Sequence, residues 1–169
     1  LTEADCAGPY PSWLNDPEVC RYHSHNRVPY TRQGALAYVA KSRVSETERA
    51  LAIVDKASGR HVGNIALQNI NRVDRSAELS ILIGEKEFLG KGLSREAGRL
   101  LLDHGFLTLD LWRIGCATPR ENLPMRKLAL SLGMVEEGCR RQALFKEGRY
   151  LDIVEYGVLK PEYLKRFHP

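Results

Sequence analysis

The sequence predicts a mixed α/β fold in which helices flank a largely antiparallel sheet, with residues 1–169 forming one domain. Two observations predict it. The elements read in the order helices, three strands, helix, strand, helix, two strands, which is not a regular βαβ repeat. One of the strands, Ala77–Ile83, is apolar nearly throughout, so both of its faces are expected to be covered. With 43% hydrophobic and 27% charged residues, the chain has enough apolar side chain for a core.

Pro11 to Asn15 reads as a short helix with proline in its first turn, broken by Asp16-Pro17. Thr31 is an N-cap for a helix to about Lys41. Ala50–Val54 and Val62–Leu67 read as a hairpin about the turn Lys56-Ala57-Ser58-Gly59, and Asn69–Arg75 as a polar turn before the Ala77–Ile83 strand. Leu93, Ala97, Leu100, Leu101 and Leu107 recur at helical spacing over about Leu93–Leu109. A strand over Arg113–Thr118 follows, then a helix over about Asn122–Leu132 that ends at Gly133. Strands over about Val135–Lys146 and Arg149–Leu159 close the fold around Glu147-Gly148.

Composition removes several function classes. No apolar run approaches the ~20 residues of a membrane span. No basic stretch followed by an apolar one marks a secretory signal, and the chain begins at Leu1 rather than Met, so residues are expected upstream and the first strand of the fold to be incomplete. Cys6, Cys20, Cys116 and Cys139 form no C-x-x-C pair, and His23, His25, His61, His104 and His168 no H-E-x-x-H pattern, so no metal is expected and a reducing cytoplasm is the economical setting. A net charge of +4 and a pI near 8.9 favour a phosphorylated ligand. The basic residues are scattered, which does not indicate nucleic acid.

The chemistry concentrates in Glu87-Phe88-Leu89-Gly90-Lys91-Gly92-Leu93-Ser94, between a buried strand and a helix. Two glycines let backbone N–H groups turn inward, the helix start adds positive field, and Lys91 adds charge: the product is a cradle for a phosphate or diphosphate. It is not a Walker A loop, since five residues separate Gly84 from Gly90 and Gly92 follows Lys91. It is not a Rossmann fingerprint, which needs a third glycine and βαβ order. A tight turn without a ligand would leave the same G-x-G.

The run from Glu78 to Ala97 resembles the acetyl-CoA signature [Q/R]-x-x-G-x-[G/A] of the GNAT acetyltransferases, and in particular their RimJ/RimL-like branch. Leu89-Gly90-Lys91-Gly92 and then Glu96-Ala97 follow that branch. So do Trp13 to Val19, Glu121-Asn122, Leu132-Gly133-Met134, Glu137-Gly138, Gly148 to Asp152 and Tyr156, so the resemblance spans nearly the whole chain. Three positions depart from it. Glu87 stands for the glutamine or arginine, Met125 for a serine, and Ala129 where many relatives carry a tyrosine as general acid.

The resemblance implies a central sheet splayed between the strands that hold acetyl-CoA, and transfer of its acetyl group to an amine. The diphosphate is expected on Leu89, Gly90, Lys91, Gly92, Leu93 and Ser94. The pantetheine arm is expected beside Ile81, Leu82 and Ile83, with an N–H near Leu82 facing the thioester oxygen, and Asn122 bonding the arm or ordering the site. Glu78 is the first candidate base, since burial in its apolar strand would raise its pKa, with a solvent-facing carboxylate as the bland counterpart; Asp152, Glu155 and a water chain are alternatives. Tyr156 and His104 read as core residues and His61 as exposed. Trp13 and Tyr22, with His25 and Asn26, are expected to shape the acceptor pocket. The acceptor classes of the resemblance are a protein N-terminus, a polyamine, an antibiotic or a nucleotide-linked amino sugar, acted on by a monomer or homodimer. A non-catalytic acyl-CoA-binding module is the rival class.

Overall fold

The computed structural model of the chain describes every residue except Ser24, Asn26 and Arg27. A short 3₁₀ turn (Glu3–Ala7) and α1 (Tyr10–Trp13) precede α2 (Arg32–Arg43). β1 (Arg49–Val54), β2 (His61–Asn71) and β3 (Ser76–Ile83) follow, then a 3₁₀ turn (Lys86–Phe88) and α3 (Leu93–Asp103), which widens into a π turn (His104–Thr108). β4 (Arg113–Pro119), α4 (Leu123–Ser131), β5 (Val135–Lys146), β6 (Arg149–Leu159) and α5 (Lys160–Phe167) complete the chain. The strands form one six-stranded sheet in the order β1-β2-β3-β4-β6-β5. Among the described residues only β3 and β4 run parallel.

That parallel pair is where the sheet opens. β3 and β4 share only the rungs Ser76–Arg113, Ala77–Ile114 and Glu78–Gly115. Beyond them β3 stays paired with β2 as far as Ile83–Gly63, and β4 with β6 as far as Pro119–Ile153. Each half keeps its outer partner and the inner strands part. This splayed, mostly antiparallel sheet flanked by helices is the architecture the resemblance implies.

Alternation along β3 serves two layers. Ala77 and Leu79 lie in the core beneath α3, α4 and α5, with Ile81 and Ile83 packed against it. Leu82 points the other way, into a second core of Cys6, Tyr10, Trp13, Leu14, Cys20, Ala35 and Val39. The N-cap on α2 is as the sequence suggests, Thr31 Oγ1 accepting from Gly34 N at 3.0 Å. Cys116 is a core residue, and burial pushes its thiol up to about 12. No described helix is long and apolar enough to cross a membrane.

Four local expectations are corrected. The predicted Leu93–Leu109 helix stops at Asp103: within it Leu101 and Leu102 are buried and Leu100 faces outward, and beyond it the π turn shifts the phase, with Phe106 buried and Leu107 exposed. β2 runs past Leu67 to Asn71 through an irregularity in which Asn69 takes a φ of 52°. α5 is an additional helix beyond the last predicted strand; its proline sits in the first turn and Glu162 Oε2 accepts from Leu159 N at 3.0 Å. His61 is enclosed rather than exposed, its ring 4.9 Å from that of Trp13 and its Nε2 2.8 Å from Asn64 Oδ1.

Candidate active site

The opening between β3 and β4 is a cleft of about 400 Å³. One wall is Leu79–Ile83 of β3; the other is Ala117 and Thr118 of β4 with Asn122, Met125 and Leu128 at α4. Leu89 and Ser94 line its mouth, and Tyr22 and His23 reach it from the N-terminal segment. Some β3 backbone groups facing the parted side have no β4 neighbour, so an extended amide-bearing chain can pair there as an added strand.

The mouth is built as an anion cradle. Gly90 and Gly92 take φ of 74° and 84°, and a Cβ at either position would meet nothing within 4 Å. Gly92 is the N-cap of α3, and its carbonyl accepts from Arg95 N and Glu96 N at 3.0 and 3.1 Å. Among the described residues no backbone carbonyl accepts from the amides of Gly90 to Ser94. Unspent amides at a helix N-terminus, with open space in front, fit a diphosphate. Lys91 Nζ stands 4.8 Å from the Phe88 ring centroid, and Leu93 turns inward against the core.

The acidic departure at Glu87 comes with compensation. Arg60, from the β1–β2 hairpin, pairs with Glu87 and with Glu85 Oε2 at 2.6 Å, its guanidinium 5.4 Å from the Phe88 ring centroid. The loop therefore carries a guanidinium that sequence spacing does not place there.

Asn122 ties the cleft wall together. It caps α4, its Oδ1 accepting from Met125 N at 3.3 Å and its Nδ2 donating to Thr118 Oγ1 at 2.9 Å. Ala129, at the position where the resemblance implies a tyrosine, is fully buried and contributes core packing.

A second cavity, about 230 Å³, lies on the other face of β2 and β3 beneath α2. Tyr10, Tyr30 and Tyr38 line it with Asn64, Gln68, Ser80 and His25. Glu48 Oε1 accepts from Tyr38 Oη at 2.6 Å and from Gln68 Nε2 at 3.0 Å, setting a carboxylate against its wall. His23 and Ser80 to Leu82 border both cavities, so the two meet at β3.

His23 sits at that junction on a fixed support: Lys146 Nζ donates to the carbonyls of Cys20 and His23 at 2.5 and 2.7 Å. Burial first, then the charges of His25 and Lys146, pushes the His23 imidazole down to about 4. The sign follows from linkage: the unfolded chain binds the proton first as pH falls, so folding is weakened between pH 6.5 and about 4 and unaffected by this group above. His23→Gln is expected to flatten the loss of thermal stability between pH 6.5 and 4, measured against wild type; an unchanged slope contradicts it.

Tyr22 lies at the cleft, whereas Trp13 lines neither cavity. Trp13 is a packing anchor, buried against Gly84, with its Nε1 donating to Glu85 Oε1 at 2.8 Å. Asn26 lies outside the described residues. Glu78 is exposed, so the burial invoked to tune it is not there; it occupies the last shared rung, across from Gln68. Asp152 and Glu155 are engaged elsewhere, Asp152 Oδ1 with Gln142 N at 2.9 Å and Glu155 with Arg140 at 2.9 Å. Tyr156 is a core residue, its hydroxyl held between Arg126 Nε and Glu136 Oε2 at 2.9 Å each. The tyrosines of the second cavity, Glu48, Arg60 and Thr118 are additions that no sequence spacing singles out.

A split mixed sheet with an amide-lined loop at a helix mouth defines an acyl-CoA-dependent acyltransferase. Residues 1–135 match the acetyltransferase (GNAT) domain family, and the chain belongs to it. It is 30% identical over 167 residues to the uncharacterized N-acetyltransferase p20 of Bacillus licheniformis, covering 96% of this chain and 90% of that one. It is 31% identical over 138 residues to the spermidine N(1)-acetyltransferase of Vibrio cholerae, covering 82% and 79%. The crystal structure of spermidine N-acetyltransferase from Vibrio cholerae in complex with CoA and spermine superposes with a TM-score of 0.88 at 27% identity, covering 97% and 95%. The chain is thus a GNAT-type N-acetyltransferase with acetyl-CoA as co-substrate.

Proposed function

We propose that the chain acetylates a small primary amine bearing at least one further positive charge, a polyamine-like acceptor, bound in the tyrosine-lined cavity. The observation that carries this reading is the wall of three tyrosines backed by Glu48. An ammonium that leaves water is compensated by aromatic faces and by a carboxylate. A cavity of about 230 Å³ is smaller than the ~300–1,000 Å³ of most ligand sites and suits a slender alkyl chain. The spermidine acetyltransferases among its relatives support the same reading.

Acetyl-CoA supplies an acetyl group activated as a thioester; the residues of this chain position it and receive the amine. Gly90 to Ser94 hold the diphosphate, and the backbone groups of Ile81 and Ile83, which the register turns away from β2, pair with the arm and meet the oxygen that gains charge. The amine reaches the same point from the opposite face, past His23 and Ser80, and sheds its proton to water in the open cavity. Glu78, on the Ser80 and Leu82 face of β3, draws the cation in. Its neutralisation in Glu78→Gln is expected to lower kcat/KM for a diamine about 2- to 5-fold and leave a monoamine of equal length unchanged. An equal loss for both would remove Glu78 from cation recognition.

The rival acceptor is a protein N-terminus, as the RimJ/RimL-like motifs suggest. Release of CoA thiol with spermidine, 1,3-diaminopropane, butylamine, an aminoglycoside and peptides starting in serine or alanine separates the two. The diamines are expected to be favoured at least tenfold over butylamine. Acetylated peptides with idle diamines would overturn the reading.

A further inference from the structure

Ala129 supplies no hydroxyl to the α4 wall of the cleft, but Thr118, bonded to Asn122, does. Register places it. Counting equally from the shared rung Glu78–Gly115 sets Thr118 opposite Ile81 across the opening, ~10 Å beyond the last pairing at ~3.3 Å per residue. Ala77 and Ile114 share the α3/α4 face, so Ile81 and Thr118, each an even number of residues further on, share it as well.

The hydrogen bonds fix which way the Thr118 proton points. The backbone N–H of Met125 can only donate, so the Asn122 atom it meets at 3.3 Å is the carbonyl oxygen and the amide nitrogen faces Thr118. Thr118 Oγ1 therefore accepts from Asn122, and its own O–H is directed elsewhere. Among the described residues no acceptor takes that proton, although Thr118 is only 4% exposed and lines the cleft. A buried donor without a partner costs stability unless a ligand satisfies it.

We propose that Thr118 donates this hydrogen bond to the sulfur of coenzyme A as it departs. The N–C bond forms as the C=O pair moves onto oxygen; its return breaks the C–S bond, that bond's electron pair leaves on sulfur, and the amine proton goes to water. Thr118 keeps its proton and stabilises the thiolate, with Asn122 as its positioning residue. The proposal rests on acetyl-CoA occupying this cleft and not on the identity of the amine.

The test is calorimetry of the full chain with CoA and with desulfo-CoA from pH 6.5 to 9.5. Wild type is expected to bind CoA more tightly as the thiol ionises, around pH ~8.5 for a comparable thiol, with desulfo-CoA insensitive to pH. Thr118→Val should abolish the rise with pH and keep desulfo-CoA affinity; Thr118→Ser should retain both. With any amine that is turned over, Thr118→Val should lower kcat about 10- to 100-fold, the range for a hydrogen bond to a charged group, at little change in the KM for acetyl-CoA. A rise with pH that survives in Thr118→Val overturns the proposal, as does equal weakening toward CoA and desulfo-CoA. If no amine is turned over while the two titrations still diverge, the acceptor reading fails and this one stands.

Discussion

Gly90→Glu is expected to weaken CoA binding at least ~100-fold while the protein stays folded, because like-charge juxtaposition in a binding site costs several kcal/mol. The structure supplies the reason to expect binding rather than folding to fail. Gly90 is exposed, and a side chain there enters open space beside the amides of Gly90 to Ser94, from which no backbone carbonyl of the described residues accepts. Gly90→Ala separates charge from strain. Its methyl group meets nothing, so only the positive φ opposes it, by about 1–2 kcal/mol. Calorimetric titration with CoA, beside circular dichroism, checks both variants. Wild-type affinity in Gly90→Glu would mean that the diphosphate lies elsewhere.

Gly84→Ala carries the largest expected effect on stability. A Cβ at Gly84 would lie 1.9 Å from Trp13 Cδ2 and within 2.4 Å of two further indole atoms. The indole cannot step back, being buried, bonded to Glu85 and packed edge-on to His61. Overpacking of this kind costs about 3 kcal/mol. Trp13→Ala alone is expected to cost a similar amount by leaving a cavity. Combined with Gly84→Ala it should cost less than the sum, because the added methyl group then has room. Urea denaturation of the two single variants and the double variant measures the coupling; strict additivity would mean that Trp13 and Gly84 do not press on each other.

The same contact shows how far sequence reasoning reaches. Local patterns carry the strands, the N-cap at Thr31 and the glycine loop, since each is decided by neighbours in the chain. Trp13 is different. Its opening motif suggests an acceptor residue, yet its surroundings are Gly84, Glu85 and His61, and only the folded topology brings them together. Arg60 reaches Glu87 across 27 positions, so the compensation of an acidic loop residue is invisible along the chain. Glu78 shows the converse error. An apolar strand suggests burial, but at Glu78 the face turned away from the α3/α4 core is open, because the N-terminal layer covers β3 at Leu82. The π turn after Asp103 has no periodicity signal short enough to betray it, and it displaces Leu107 from the face that spacing assigns. Thr118 carries no such signal, since its place opposite Ile81 follows only from the pairing of β3 with β4.

The central claim is that main-chain amides at the mouth of α3 grip the diphosphate of coenzyme A. Its most direct measurement is a titration of ¹⁵N-labelled protein with CoA, following each backbone amide. The largest shifts are expected at Gly90 to Ser94, with a second group at Ile81 to Ile83 along the parted edge of β3, and 3′-phosphoadenosine 5′-diphosphate, which keeps the diphosphate and lacks the pantetheine arm, should move only the first group. CoA binding that leaves Gly90 to Ser94 undisturbed would contradict the account.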